Sequence, residues 1–155
     1  MKVAGTFSFR GPRRVVWELL QDPEVLSKAL PGAQRLSQTS EDRYEGLMKV
    51  GLGPLTAEFS LAVTLADQRP PQHFTMHIDS KSGLGFARGT AAVDLEDAAD
   101  GGTTMTYTSD LQIGGRIASV GQRVVDSAAR SMTEKGLEAL QRALDERLAG
   151  RKGQT

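Results

Sequence analysis

The chain has 155 residues, and its 19 Lys and Arg balance 19 Asp and Glu, so no net charge draws nucleic acid or an anionic membrane to it over long range. It has no cysteine, which excludes a disulfide scaffold, a thiol nucleophile and a thiolate metal site. The length suits a single domain with a real core, expected over residues 1–150, with 151–155 as a frayed, disordered polar tail. Met1-Lys2-Val3 leads straight into strand-like alternation, and no apolar run is long enough for a signal segment or a bilayer span, so a cytoplasmic protein without a transmembrane segment is expected.

Residues 2–10 alternate, with Val3, Gly5, Phe7 and Phe9 on one face, and predict a half-buried strand. Gly11-Pro12 breaks it, and Pro12 is placed to open a helix. Val15, Val16, Leu19 and Leu20, with Trp17 alongside, give that helix its apolar face. Asp22-Pro23 ends it and begins another, Asp22 as cap and Pro23 at the first position. This second helix is brief and stops at Pro31-Gly32. From there the period changes to two. Gln34 to Thr39 predicts a short strand, and Ser40-Glu41-Asp42 a turn. Tyr44, Gly46, Met48, Val50 and Leu52 mark the inner face of the next strand, and Gly53-Pro54 interrupts the chain again. The clearest alternation follows, from Leu55 to Leu65. After a turn at Arg69-Pro70-Pro71, Phe74, Met76 and Ile78 point inward and His73, Thr75, His77 and Asp79 outward.

Residues 80–89 are rich in Gly and Ser around Leu84 and Phe86, and predict a loose, mobile mouth in place of a strand. Ala91, Val93 and Leu95 resume an inner face, Asp100-Gly101-Gly102 makes a hairpin, and Met105, Tyr107, Ser109, Leu111 and Ile113 line the last strand. Gly114-Gly115 then releases the chain into one uninterrupted helix from Arg116 to about Ala149. Ile117, Val120, Val124, Ala128, Met132, Leu137, Leu140, Leu144 and Leu148 recur at helical spacing. At 1.5 Å per residue it is roughly 50 Å long, so it must lie across something, and the sheet is the partner available. The class is α+β: one strand, two short helices, six more antiparallel strands and a long helix. A sheet this large curls, and a curled sheet closed by a helix can leave a cavity.

This order is the plan of the helix-grip fold of the START and birch-pollen-allergen (SRPBCC) superfamily: a curved sheet of about seven strands, β-α-α-β6-α, around a long C-terminal helix. Pro12-Arg13-Arg14-Val15-Val16-Trp17, Leu20-Gln21-Asp22-Pro23-Glu24-Val25-Leu26 and Leu30-Pro31-Gly32 resemble the opening of the CoxG family of carbon monoxide dehydrogenase subunits. Val50-Gly51-Leu52-Gly53-Pro54-Leu55-Thr56-Ala57-Glu58-Phe59, Gly85-Phe86-Ala87-Arg88-Gly89-Thr90-Ala91 and Gly114-Gly115-Arg116-Ile117-Ala118 resemble further segments of that family, over residues 2–146 in all. The resemblance implies a non-enzymatic, cytoplasmic protein with an apolar cavity for a quinone- or isoprenoid-like molecule. It further implies a molybdenum carbon monoxide dehydrogenase-like partner and at most peripheral membrane contact.

The residues themselves offer little chemistry. His73 and His77 share a strand face but lie about 13 Å apart, too far to hold one metal. No Gly-x-Ser-x-Gly elbow occurs, and neither Gly51-Leu52-Gly53 nor Gly83-Leu84-Gly85 opens a helix after a parallel strand, as phosphate binding requires. What survives is an apolar lining: Phe59, Leu61, Phe74, Met76, Ile78, Met105 and Tyr107 from the sheet, Phe86 from the mouth, and Ile117, Val120, Val124 and Ala128 from the helix. The pattern alone favours a packed core over a cavity. Small, β-branched residues in the first half of the helix leave room there, and Tyr107 is the polar handle such a cavity would have. Three functions stay open at this point: a lipophile-binding module, a small cyclase, aromatase or hydrolase of the same fold, and an interaction or chaperone domain with a filled core. No catalytic residue, metal ligand or cofactor is expected.

Overall fold

The computed structural model describes residues 1–152. Strand β1 (Lys2–Phe9) is followed by α1 (Arg13–Leu19) and α2 (Pro23–Ala29). Six strands come next: β2 (Ala33–Ser40), β3 (Arg43–Leu52), β4 (Leu55–Arg69), β5 (His73–Ser82), β6 (Gly85–Asp97) and β7 (Thr103–Gly114). A 3-10 turn (Arg116–Val120) then leads into α3 (Gln122–Lys152). The strands form one antiparallel sheet in the order β1-β7-β6-β5-β4-β3-β2. Six strands thus run as a meander, and β1 closes onto the last of them, with Gly5 opposite Tyr107. This is the predicted helix-grip architecture.

The structure corrects the expected elements in three places. Residues 80–89 are not a loose mouth: β5 runs to Ser82, β6 starts at Gly85, and only Gly83-Leu84 turns between them. The backbone pairs on both sides, Ser80 with Ala87 and Ala87 with Ile113, so a glycine-rich composition is carried by neighbours that supply the hydrogen bonds. The long helix is not continuous from Arg116. Gly121 (φ 103°, ψ 149°) separates the 3-10 turn from α3, in a backbone conformation that a side chain would strain. The helix also continues past Ala149 to Lys152, whereas the rest of the expected tail, 153–155, lies outside the described residues.

Local chemistry accounts for the helix starts. Asp22 accepts the Glu24 N–H at 3.0 Å and so caps α2, with Pro23 in its first turn as predicted. The other Asp22 oxygen accepts from Arg147 Nη2 at 2.7 Å, which ties α2 to the far half of α3. Gly136 faces the end of α2, where a Cβ would make only ordinary contacts, 4.0 Å from Ala29 O and 3.9 Å from Pro31 Cδ.

Two apolar clusters hold the helices to the sheet. The larger gathers Phe9, Val16, Trp17, Leu19, Leu95, Leu140 and Leu144, and Trp17 meets Phe74 edge to face with centroids 5.4 Å apart. The smaller gathers Leu52, Ala57, Phe59 and Ile117 at the other end, beside the start of α3.

Tyr44 is buried within the larger cluster and donates to Gln21 O at 2.6 Å. Burial raises its pKa above the usual 10.0, and the nearby Asp22 carboxylate adds to the rise. A raised tyrosine contributes stability that is complete below pH 10.0 and is lost as pH climbs through its folded pKa. Tyr44→Phe should therefore cost about 1 kcal/mol at neutral pH, and the gap to wild type should narrow above pH 10.0 in urea unfolding. A gap that stays constant through pH 11 (roughly one unit above the ordinary tyrosine value) would contradict the assignment.

Candidate ligand cavity

Helix α3 approaches the sheet closely at β1 and at β3 and bridges the strands between. On those central strands the β6 residues that border the interior are mostly small, Ala87 and Ala91 among them. The helix brings Ala128 and Ala129 to the same space. Large side chains fill the interior at both ends, and the small ones leave a cavity of about 500 Å³ in the middle. That volume lies within the range of small-molecule sites and far above the voids of a packed core.

Of the predicted lining, Phe59, Leu61, Phe74, Met76, Ile78, Met105, Tyr107, Ile117 and Ala128 surround this cavity. Phe86, Val120 and Val124 do not. Phe86 sits on the outer face of β6, one residue out of phase with inward Ala87. Its ring lies under the Arg88 guanidinium at 4.1 Å and against Gly114. Period-two alternation counted back from Ala91 puts 87 and 89 inward and 86 outward, so that signal is present in the sequence. Val120 belongs to the 3-10 turn, and Val124 lies over the β3–β4 turn, 3.4 Å from where a Cβ on Gly53 would stand. Both pack into the smaller cluster. The break at Gly121 restarts the helical phase and turns Val125, Ala129, Met132 and Thr133 to the cavity instead. Met48 and Val50 from β3, and Leu26, Leu30 and Pro31 from the α2 end, complete a lining wider than the predicted one. Alternation marks the β3 residues as inward but does not by itself assign them to the site.

Among the described residues, no Asp, Glu, His, Lys or Arg lines the cavity. Its hydroxyls are mostly satisfied by the backbone. Ser80 donates to Ala87 O (2.6 Å), Ser109 to Val3 O (3.3 Å), Thr133 to Ala129 O (2.8 Å) and Tyr44 to Gln21 O. The histidines lie elsewhere: His73 Nδ1 is 2.7 Å from Asp94 Oδ1, across the β5–β6 pair on the outward-facing register, and His77 is exposed. The described residues contain no cluster of His, Asp and Glu that could hold a metal.

An antiparallel sheet closed over a long helix with an apolar hollow between them defines the helix-grip class. A conserved protein from Geobacillus kaustophilus has this structure with a TM-score of 0.89 and 26% identity, covering 94% of this chain and 96% of that one. The Zhui aromatase/cyclase from Streptomyces sp. R1128 (TM-score 0.71, 12% identity, 96% and 95% covered) shares the fold. So does Ara h 8.0201 (0.67, 11%, 94% and 98%). Within this class, residues 5–145 match the CoxG family of carbon monoxide dehydrogenase subunits, and the chain belongs to that family. The comparison with curated proteins returned no match.

Proposed function

We propose that the chain is a non-enzymatic binding protein for a quinone-like lipophile, acting as carrier or adaptor for a carbon monoxide dehydrogenase-type oxidoreductase. The observation that carries the reading is the cavity of about 500 Å³ walled almost wholly by apolar side chains. Each 100 Å² of ligand apolar surface taken from water contributes about 2.5 kcal/mol before ordering costs. Family membership supports the oxidoreductase partner. Among the described residues, a lining without a carboxylate or imidazole side chain, whose one ammonium (that of Met1) is held by Leu111 O, supports binding over acid–base chemistry of the cyclase or hydrolase kind. The open volume likewise supports it over an interaction or chaperone domain with a filled core.

We place the protein's work in the cytoplasm with at most peripheral membrane contact. No helix among the described residues is long and apolar enough to cross a membrane. The test is organic extraction of the purified protein followed by mass spectrometry. A stoichiometric quinone or isoprenoid is the expected result. No extracted lipophile, together with no thermal shift on adding quinones, would overturn the reading.

A further inference from the structure

Resting on that reading of the cavity, we infer that its ligand is a neutral molecule carrying a carbonyl-type oxygen, and that Tyr107 selects and orients it. The inner side chains that carry hydroxyls are Tyr44, Ser80, Ser109, Thr133 and Tyr107. The first four donate to backbone carbonyls, and the Tyr107 hydroxyl has no hydrogen-bond partner among the described residues. (Thr108 also borders the cavity, but strand alternation turns its exposed side chain outward.) A phenol left beside an apolar hollow gains one hydrogen bond when a ligand brings an acceptor to it.

The position of Tyr107 is itself built. It stands opposite Gly5 on β1, and a Cβ on Gly5 would come within 2.6 Å of the Tyr107 oxygen and 2.9 Å of Cζ. The ring therefore lies against bare backbone, in space that any larger residue at position 5 would take. Tyr107, Val93 and Phe74 are successive cross-strand neighbours, and they abut the larger cluster around Trp17. The ligand oxygen thus lies at the filled end of the cavity. The apolar body runs past Ala91 and Ala87 toward Ile113, whose register follows along β6 and β7. A carboxylate or phosphate head at Tyr107 would meet no Lys, Arg or His side chain, and the one cation on a lining residue, the Met1 ammonium, is held by Leu111 O four residues along β1 from Gly5, so the head would lose its hydration uncompensated. Fatty acids and phospholipids with their head at Tyr107 are disfavoured on that ground.

Three probes of similar body test this by isothermal titration: a decyl-substituted benzoquinone, decylbenzene and decanoic acid. Wild type should bind the quinone tightest and decanoate at pH 8 at least tenfold more weakly. (The acid is ionised there, since free carboxyl groups titrate at about 4.) Tyr107→Phe should weaken the quinone about five- to tenfold and leave decylbenzene unchanged. Gly5→Ala should reproduce that selective loss by displacing the ring. Equal quinone affinity in wild type and Tyr107→Phe, or equal losses for quinone and decylbenzene, would overturn the inference while leaving the cavity reading intact. Failure of wild type to bind either neutral probe would overturn both.

Discussion

Ala128→Trp should abolish lipophile binding, lowering affinity by at least a hundredfold, while the protein stays folded. Ala128 lies on the first half of α3, where it borders both the cavity and the smaller cluster around Ile117. An indole there grows into the hollow that Ala128 borders. In a filled core the same change would overpack and cost about 1–3 kcal/mol or more. Here the cavity absorbs the volume, so the unfolding midpoint should hold or rise. Calorimetric unfolding with ligand titration separates the outcomes. A variant that binds quinone normally would remove Ala128 from the roof, and one that unfolds outright would mean that the space is not open.

Leu144→Ala should do the opposite: lower stability by about 3–4 kcal/mol and change ligand affinity little in the fraction that folds. Leu144 is fully buried one turn past Leu140, the last residue of α3 on the cavity wall, in the cluster with Phe9, Val16, Leu19 and Leu95. Its methyl groups also lie 3.0 and 3.2 Å from where a Cβ on Gly11 would stand, so the β1–α1 connection closes directly on it. Polar links fix the same region: Gln141 accepts the Arg10 N–H at 3.0 Å, and Arg147 reaches Asp22. Urea unfolding measures the loss, and a change under about 1 kcal/mol, well below the usual 2–5 for such a truncation, would show that this half of α3 does not anchor the domain. The helix thus has two roles along its length, a roof near Ala128 and an anchor near Leu144.

The seven strands and their inner faces were legible because period-two alternation survives in single residues: Tyr44, Phe59, Leu65, Phe74 and Met105 are all buried as the pattern requires. Asp22-Pro23 was legible because its capping chemistry is local. The glycine-rich stretch 80–89 misleads because composition reports intrinsic preference, whereas Ser80, Ala87 and Ile113 are held by partners distant in the chain. The helix break at Gly121 is hidden because Ile117, Val120 and Val124 keep helical spacing across it, so only the glycine itself marks the change of phase. Cavity and core cannot be told apart from the strand pattern, since alternation reports which side chains point inward and not whether they meet. The distinguishing residues are the small ones on opposite walls of the cavity, Ala87 and Ala91 against Ala128 and Ala129, and bringing them together needs the sheet order.

The chain's one tryptophan offers the most direct measurement of the central claim. Trp17 is buried against Phe74, and Phe74 walls the cavity, so a quinone in the hollow lies close enough to quench the indole. Titrating the protein with a decyl-substituted benzoquinone should quench Trp17 emission along a saturable one-to-one curve, and the Ala128→Trp substitution, read by calorimetry to avoid its own emission, should remove the binding. Quenching that rises linearly with quinone and never saturates, as collisions with free tryptophan give, would contradict the account.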